Sequence, residues 1–398
     1  VTGVQPCALP ISARYVAGLR GATGFLELVH PHHGQPGSDV FLRQLLRAVG
    51  ARRSLAPAGR SPRRSRAKAP DPRARRDRFV RQIIAHTQVA LAAAEHCREE
   101  YWSGADRSSA DAFTKSAQRY RRAFSRDVIG QLPAARGALR PRSRLVYDTP
   151  TLRGYEVVLD VYGREVDRPG ADHVFSYGIL LVPKDIRRGQ QRPVVVCQHG
   201  LEGRPQDVAD PTLDDPAYHG YACRLAERGF VTFAPQNPYI GGHRYRAIQR
   251  LANPLGVSLF SVILRQHERI LQWLGDLPFV DAQRIAFYGL SYGGKTAMRV
   301  PAILPGYCLS ICSADYNEWI WKCSSTRHRW SYMGTAEYDM PEFDLGNTFN
   351  YAEMSWLIFP RPFMVARGHH EPIDVRGIRN ERLATAEAPG PVDGFSDH

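Results

Sequence analysis

Apolar positions along the chain change rhythm at a few points, and each change marks an expected element. From Ala13 to about Arg76 neither a helical nor a strand period is sustained, apart from one helix-compatible piece at Val40–Val49. From Arg78 onward Phe79, Ile83, Ile84, Val89 and Leu91 recur at helical spacing through an Ala-rich stretch ending near Cys97. A second helix is predicted from Ser109, with Ser108 or Ser109 as its cap, through Phe113, Tyr120, Phe124 and Val128. Together they form an expected helical cap over residues 78–140 whose aromatics pack against the main domain. The sheet is expected to start after Pro150, where the period drops to two. Tyr155–Tyr162 and Val174–Val182 alternate or run apolar around the turn Gly163–Gly170, which predicts an antiparallel pair. Pro193–Gln198 (PVVVCQ) is continuously apolar, the pattern of a central parallel strand buried on both faces. Helix 215–228, strand Phe230–Ala234, helix Ser258–Leu274 and strand Ile285–Tyr288 then alternate, followed by strands Cys308–Ala314 and Arg361–Arg367. This order predicts an α/β fold with a doubly wound, mostly parallel sheet and a ligand site beyond the carboxyl ends of its strands.

The chemistry concentrates at Tyr288–Lys295, YGLSYGGK. Gly289 and Gly293 lie two residues to either side of Ser291, between an apolar strand and a helix. Gly-x-Ser-x-Gly also arises by chance in glycine-rich loops, but the strand before and the helix after it argue for a nucleophile elbow. In such a turn the serine backbone is strained, and side chains at the flanking positions would collide with the neighbouring strand and helix. The helix start contributes free N–H groups and a positive dipole end, both suited to the oxyanion formed when serine attacks an ester carbonyl. Acyl transfer through serine also needs a base, an acid to orient that base, and two oxyanion donors. The backbone N–H of Tyr292 is one predicted donor. The other comes from the loop His199-Gly200-Leu201-Glu202-Gly203 after PVVVCQ, with Leu201 the choice and Glu202 the neighbour it could be confused with.

The strand with HGLEG, the elbow GLSYGGK and the segment RPFMVARGHHEP, in this order and spacing, resemble the α/β-hydrolase superfamily, specifically the dienelactone-hydrolase-like branch near acetyl xylan and glucuronoyl esterases. The resemblance covers roughly Tyr147–Asp374 and implies a serine hydrolase that cleaves carboxylic esters, carbohydrate-linked ones among them, through an acyl-enzyme with no metal or organic cofactor. It also implies that the acid follows the last of these strands, at Glu371 in GHHEP, where the family commonly has Asp. Asp315, ending the preceding strand, is the rival acid, because some superfamily members place theirs there. A metal site at His369, His370 and Glu371 is disfavoured, since adjacent residues on a strand or tight loop point apart. The family's base lies beyond the acid in a loop often reading Gly-Pro-His, whereas here His398 is the one histidine after Glu371. A truncated or frame-shifted C-terminus accounts for that more simply than a base at the last residue. The rivals are a non-catalytic binding protein on this fold and a serine peptidase, the latter disfavoured because no β-propeller or other large gating domain precedes the hydrolase.

Composition changes this picture at the ends of the chain. The 398 residues carry a formal charge of +14, and the excess Arg crowds into the first third, so the catalytic portion is not a basic platform. ARRSLAPAGRSPRRSRAKAPDPRARR has too few apolar side chains to offset its ordering entropy and is expected to be disordered. A solvated linker or an out-of-frame translation is favoured there over a basic arm for nucleic acid. Val1–Ser12 resembles translated sequencing adapter and is set aside. The expected organisation is therefore a disordered or non-native segment 1–77, a helical cap 78–140, the hydrolase domain 141–374 and an irregular tail 375–398. Seven cysteines show no metal-type pairing, and Cys197, Cys308 and Cys312 fall in or beside predicted strands as small hydrophobes. No apolar run is long enough to span a bilayer and no signal peptide opens the chain, so a soluble protein is expected, its compartment and oligomeric state open. The insertion from Trp319 to Trp356 is dense in aromatics, which suit a pocket wall for a sugar ring or an aromatic acyl group and a packed core equally well.

Overall fold

PVVVCQ becomes the centre of an eight-stranded sheet in the computed structural model, which describes residues 38–48, 50, 51, 55, 71–163, 174–328, 331–335 and 337–366. The chain divides into two units, Val1–Arg76 and Asp77–His398. In the first, the piece expected at Val40–Val49 is a helix, Asp39–Ala48, with exposed Val40, Phe41 and Leu45. The expected adapter-like segment, most of the basic one, the strand end at Arg367, and Glu371, His369, His370 and His398 lie outside the described residues. The end of the basic segment, expected to be disordered, instead opens the helix Pro72–Tyr101, where Pro at the first helical position followed by Arg and Ala suits a helix start.

In the second unit the strands are β1 (Arg142–Asp148), β2 (Leu152–Tyr162), β3 (Val174–Pro183), β4 (Arg192–Gln198), β5 (Val231–Pro235), β6 (Val280–Leu290), β7 (Leu309–Ser313) and β8 (Phe363–Ala366). Their order is β1-β2-β3-β5-β4-β6-β7-β8. β1, β2 and β3 form an antiparallel meander that joins β5, and β5, β4, β6, β7 and β8 are parallel. The expected antiparallel pair is thus β2 with β3, and the β-α-β portion is the parallel half. Val194 and Val196 pack into one apolar cluster with Phe287, Ile263 and Ile270, while Val195 and Cys197 pack into another with Ile179, Ala222 and Ala226. Helices Leu259–Gly275 and Tyr221–Glu227 cover the two faces, so Val194, Val195, Val196 and Cys197 are all buried and none needs to be polar.

Three elements differ from expectation for local reasons. β1 precedes Pro150 and was not anticipated: it is an edge strand whose exposed face carries charge, with Arg144 pairing to Glu156 across the ladder, so it lacks an apolar rhythm. The helix expected over 215–228 is confined to Tyr221–Glu227. Asp215 Oδ1 accepts the N–H groups of Ala217 and Tyr218 at 2.8 and 3.0 Å, closing a turn in place of a helical start. The helix expected from Ser109 does begin there, the Ser109 hydroxyl accepting the Ala112 N–H at 3.1 Å, but it breaks into Ala110–Ser116, Gln118–Ala123 and a π turn Phe124–Ile129.

The preceding helix, Pro72–Tyr101, runs through the predicted stretch into Trp102, which stacks on Tyr120 at 3.9 Å and donates its indole N–H to Thr348 O at 2.8 Å. Thr348 belongs to the aromatic insertion, where Trp319, Phe349 and Tyr351 are buried. Part of that insertion is therefore core beneath the helical segment. Tyr338 and Phe343, with Phe260 and Tyr292, instead line a cavity of about 390 Å³. Among the described residues no single helix is long and apolar enough to cross a membrane.

Candidate active site

β6 ends at Leu290, and helix Tyr292–Ile303 starts two residues later, so Ser291 alone makes the corner. Its backbone sits at φ 59° and ψ −119°, a region that L-residues other than glycine rarely occupy. The flanking glycines are required by the close approach of main chain. A Cβ on Gly289 would lie 1.9 Å from Gly293 O, and one on Gly293 would lie 2.4 Å from Gln198 O. The serine is exposed while Tyr292 and the helix behind it are buried. Among the described residues Ser291 Oγ has no hydrogen-bond partner.

The loop after β4 closes against this corner: a Cβ on Gly200 would come within 3.0 Å of the Ser291 Cβ. Its main-chain donors are almost all engaged. Gly200 N–H goes to Tyr218 Oη at 2.7 Å, Glu202 N–H to Tyr239 O at 3.1 Å and Gly203 N–H to Gly200 O at 3.2 Å. Leu201 N–H is the donor between Gly200 and Gly203 with no acceptor among the described residues. At the elbow, Ser291 N–H is taken by Ser313 O at 2.9 Å, and Tyr292 N–H, the first of its helix, has no protein acceptor among the described residues. Leu201 and Tyr292 are the two donors expected from sequence. Glu202, the neighbour, turns its N–H away and clamps the loop instead: its carboxylate accepts the N–H groups of Gly241 and Gly242, each at 2.7 Å, from a backbone at φ 59°.

His199 does not serve the serine. Its ring is buried, with Nδ1 at 2.8 Å from Gly200 O and Nε2 accepting the Asn237 N–H at 3.3 Å. Burial lowers its pKa to about 4, so it is a neutral brace for the loop. Asp315 follows β7 and the left-handed Ala314, and a Cβ on Gly294 of the elbow helix would lie 2.8 Å from the Asp315 Cβ. One carboxylate oxygen of Asp315 is bound by the Lys322 ammonium, and Oδ2 is buried without a partner. Behind Tyr292, its phenol donates to Asp339 Oδ2 at 3.1 Å, and Arg246 Nε donates to Asp339 Oδ1 at 2.6 Å. Lys322, Tyr218 and the clamping role of Glu202 had no signal in the sequence, because each acts through partners on other elements. Among the described residues no histidine ring is hydrogen-bonded to Ser291 Oγ, and no group of three or more His, Cys, Asp or Glu could hold a metal ion.

No family model matches the chain, and no curated protein matches it. Solved structures do. One is a Bacteroides fragilis protein assigned as an acetyl xylan esterase, at 16% identity and a TM-score of 0.53, covering 70% of this chain and 73% of that one. Another is a glucuronoyl esterase from Solibacter usitatus, at 15% identity and a TM-score of 0.51, covering 67% and 77%. Both are α/β-hydrolase-fold proteins. At this identity the likeness speaks for architecture, and with the mixed eight-stranded sheet and its strand-to-helix corner it establishes that this chain has the α/β-hydrolase fold.

Proposed function

We propose that this chain is a serine hydrolase that cleaves carboxylic esters through an acyl-enzyme, with carbohydrate-linked esters as substrates. The observation that carries the reading is the exposed Ser291 at a left-handed corner, beside two main-chain N–H groups, of Leu201 and Tyr292, that the described protein leaves without acceptors. A glucuronoyl esterase and a protein assigned as an acetyl xylan esterase share the fold, which supports an ester of a sugar as substrate.

In this reading Ser291 Oγ attacks the ester carbonyl carbon and its proton passes to a base. The oxyanion accepts from Leu201 and Tyr292 N–H at the positive end of helix Tyr292–Ile303. Collapse expels the alcohol with that proton, and water then releases the acid from the acyl-enzyme. The acid that orients the base is Glu371 by resemblance or Asp315 by position, and the unpartnered Asp315 Oδ2 beside the elbow helix favours Asp315. With Glu371 as the acid, His398 is the one histidine that follows it in the sequence. A second reading, a non-catalytic protein of this fold, is favoured by the absence among the described residues of a histidine bonded to Ser291.

Turnover of p-nitrophenyl acetate and labelling by a fluorophosphonate separate the two. Hydrolysis, with a single adduct on Ser291, is expected from the chain and should vanish in Ser291→Ala. Equal rates and no adduct would leave the binding reading.

A further inference from the structure

Tyr218 stands at the same corner, outside both the elbow and the HGLEG loop in sequence. A Cβ on Gly200 would lie 2.9 Å from Tyr218 Oη and 3.0 Å from Ser291 Cβ, so the phenol oxygen and the nucleophile's side chain converge on one point. The phenol accepts the Gly200 N–H at 2.7 Å, and its own proton has no acceptor among the described residues. Its backbone is held in place by Asp215, whose Oδ1 takes the Tyr218 N–H at 3.0 Å and whose carbonyl takes the His219 N–H at 2.7 Å. Tyr218 is half-buried and Ser291 is exposed.

Two chemical consequences follow. A hydroxyl that accepts one hydrogen bond is polarised and donates its own more strongly. Burial raises the phenol's pKa, an effect that the Gly200 N–H only partly offsets, so Tyr218 keeps its proton at neutral pH. That rules it out as the base for Ser291 and qualifies it as a donor.

We propose that Tyr218 is a catalytic donor of this site, hydrogen-bonding the carbonyl oxygen of a bound carboxylic ester as that oxygen becomes an oxyanion, alongside the N–H groups of Leu201 and Tyr292. The proposal rests on the serine-ester reading. No bond to Tyr218 forms or breaks, and its proton remains on the phenol while shared with the oxyanion. Glycine at position 200 is then required because any side chain there would separate the phenol from the corner.

Tyr218→Phe keeps the ring and removes the hydroxyl, and the variant should still unfold in one cooperative transition, at a somewhat lower temperature because the buried Gly200 N–H loses its acceptor. For p-nitrophenyl acetate kcat should fall by about 10²–10³, the usual loss for one oxyanion donor, with KM nearly unchanged. Removing the hydroxyl also leaves the Gly200 N–H without its acceptor, so the corresponding thionoester is the control. Sulfur is a poor acceptor, so a donor to the carbonyl should matter far less there, whereas a loosened loop would slow both substrates equally. Unchanged kcat, or an equal loss on both substrates, would overturn the role of Tyr218 while leaving Ser291 in place. A wild-type chain that is labelled on Ser291 but turns over too slowly to measure gives the same comparison through its fluorophosphonate labelling rate, expected to drop at least about tenfold in Tyr218→Phe. A wild-type chain with neither turnover nor label would remove the serine-ester reading, and Tyr218 with it.

Discussion

The ammonium of Lys322 closes on Asp315 twice, binding its carboxylate and, at 2.8 Å, its main-chain carbonyl, with the two side chains only 2% and 5% exposed. It also donates to the Tyr351 hydroxyl at 3.0 Å. The two charges lie seven positions apart in sequence. The fold encloses them between the end of β7 and the short helix Trp319–Cys323. An isolated charge here would have no water to solvate it.

Removing one partner of such a pair is therefore expected to be costly. Lys322→Met should lower unfolding free energy by about 3–5 kcal/mol, because it strands a buried carboxylate. Adding Asp315→Leu should restore most of that loss. Chemical denaturation of the single and double variants measures both, and a double variant as unstable as the single would show that packing around residue 322 sets the cost.

At the corner, Gly289→Ala and Gly293→Ala push a methyl group into main-chain oxygens at 1.9 and 2.4 Å. Neither oxygen can swing aside as a side chain would. Both variants should lose more than the ~1–3 kcal/mol of ordinary overpacking and should lose labelling of Ser291. A folded, fully labelled Gly293→Ala protein would show that β4 and the elbow helix do not approach this closely.

Two buried histidines set the acid limb of stability. Burial lowers His199 to about 4 and His267 to about 3, against 6.5 for the free side chain. Below pH 6.5 the unfolded chain therefore binds more protons than the folded one. Stability should be full above that pH and decline as pH falls toward 4, by about 1.4 kcal/mol per pH unit for each histidine. His267, whose Nδ1 lies 2.7 Å from the Tyr307 hydroxyl, can be replaced by Leu. Denaturation midpoints between pH 6.5 and pH 4 should then fall less steeply, and an unaltered slope would mean that the ring is protonated without penalty.

The helical segment is expected to fold as part of the hydrolase. Trp102 stacks on Tyr120, lies edge-on to Phe349 and Trp356, and donates to Thr348 O. Trp102→Ala should cost about 3–5 kcal/mol in a single cooperative transition. Two separated transitions by circular dichroism and tryptophan fluorescence would show that the segment and the sheet unfold independently.

Much of the architecture is legible in the residues because burial on both faces removes any need for polar positions. β4 shows this in Val194, Val195, Val196 and Cys197, which feed two different clusters. The elbow is legible for a related reason. Main chain meets main chain at Gly289 and Gly293, and only glycine permits it. β1 escapes such reading because one of its faces is open and Arg144 finds its partner across the sheet. The shortened helix before Glu227 escapes it because a single carboxylate, Asp215, outcompetes a helical start. The aromatic insertion could not be apportioned between wall and core from its letters, since Trp319 and Phe343 are both aromatic but one is buried and the other 92% exposed.

Local rules acting on neighbouring residues were enough to define the strands, the sharp corner at Ser291 and the loop beneath it. Which N–H groups are left for a ligand, and which side chains face them, depended on how distant segments meet. Tyr218 takes the Gly200 donor, Tyr239 takes that of Glu202, and only then does Leu201 stand open. Hydrogen bonds between loops are set by where the packed sheet brings their ends, and no periodicity along the chain encodes that.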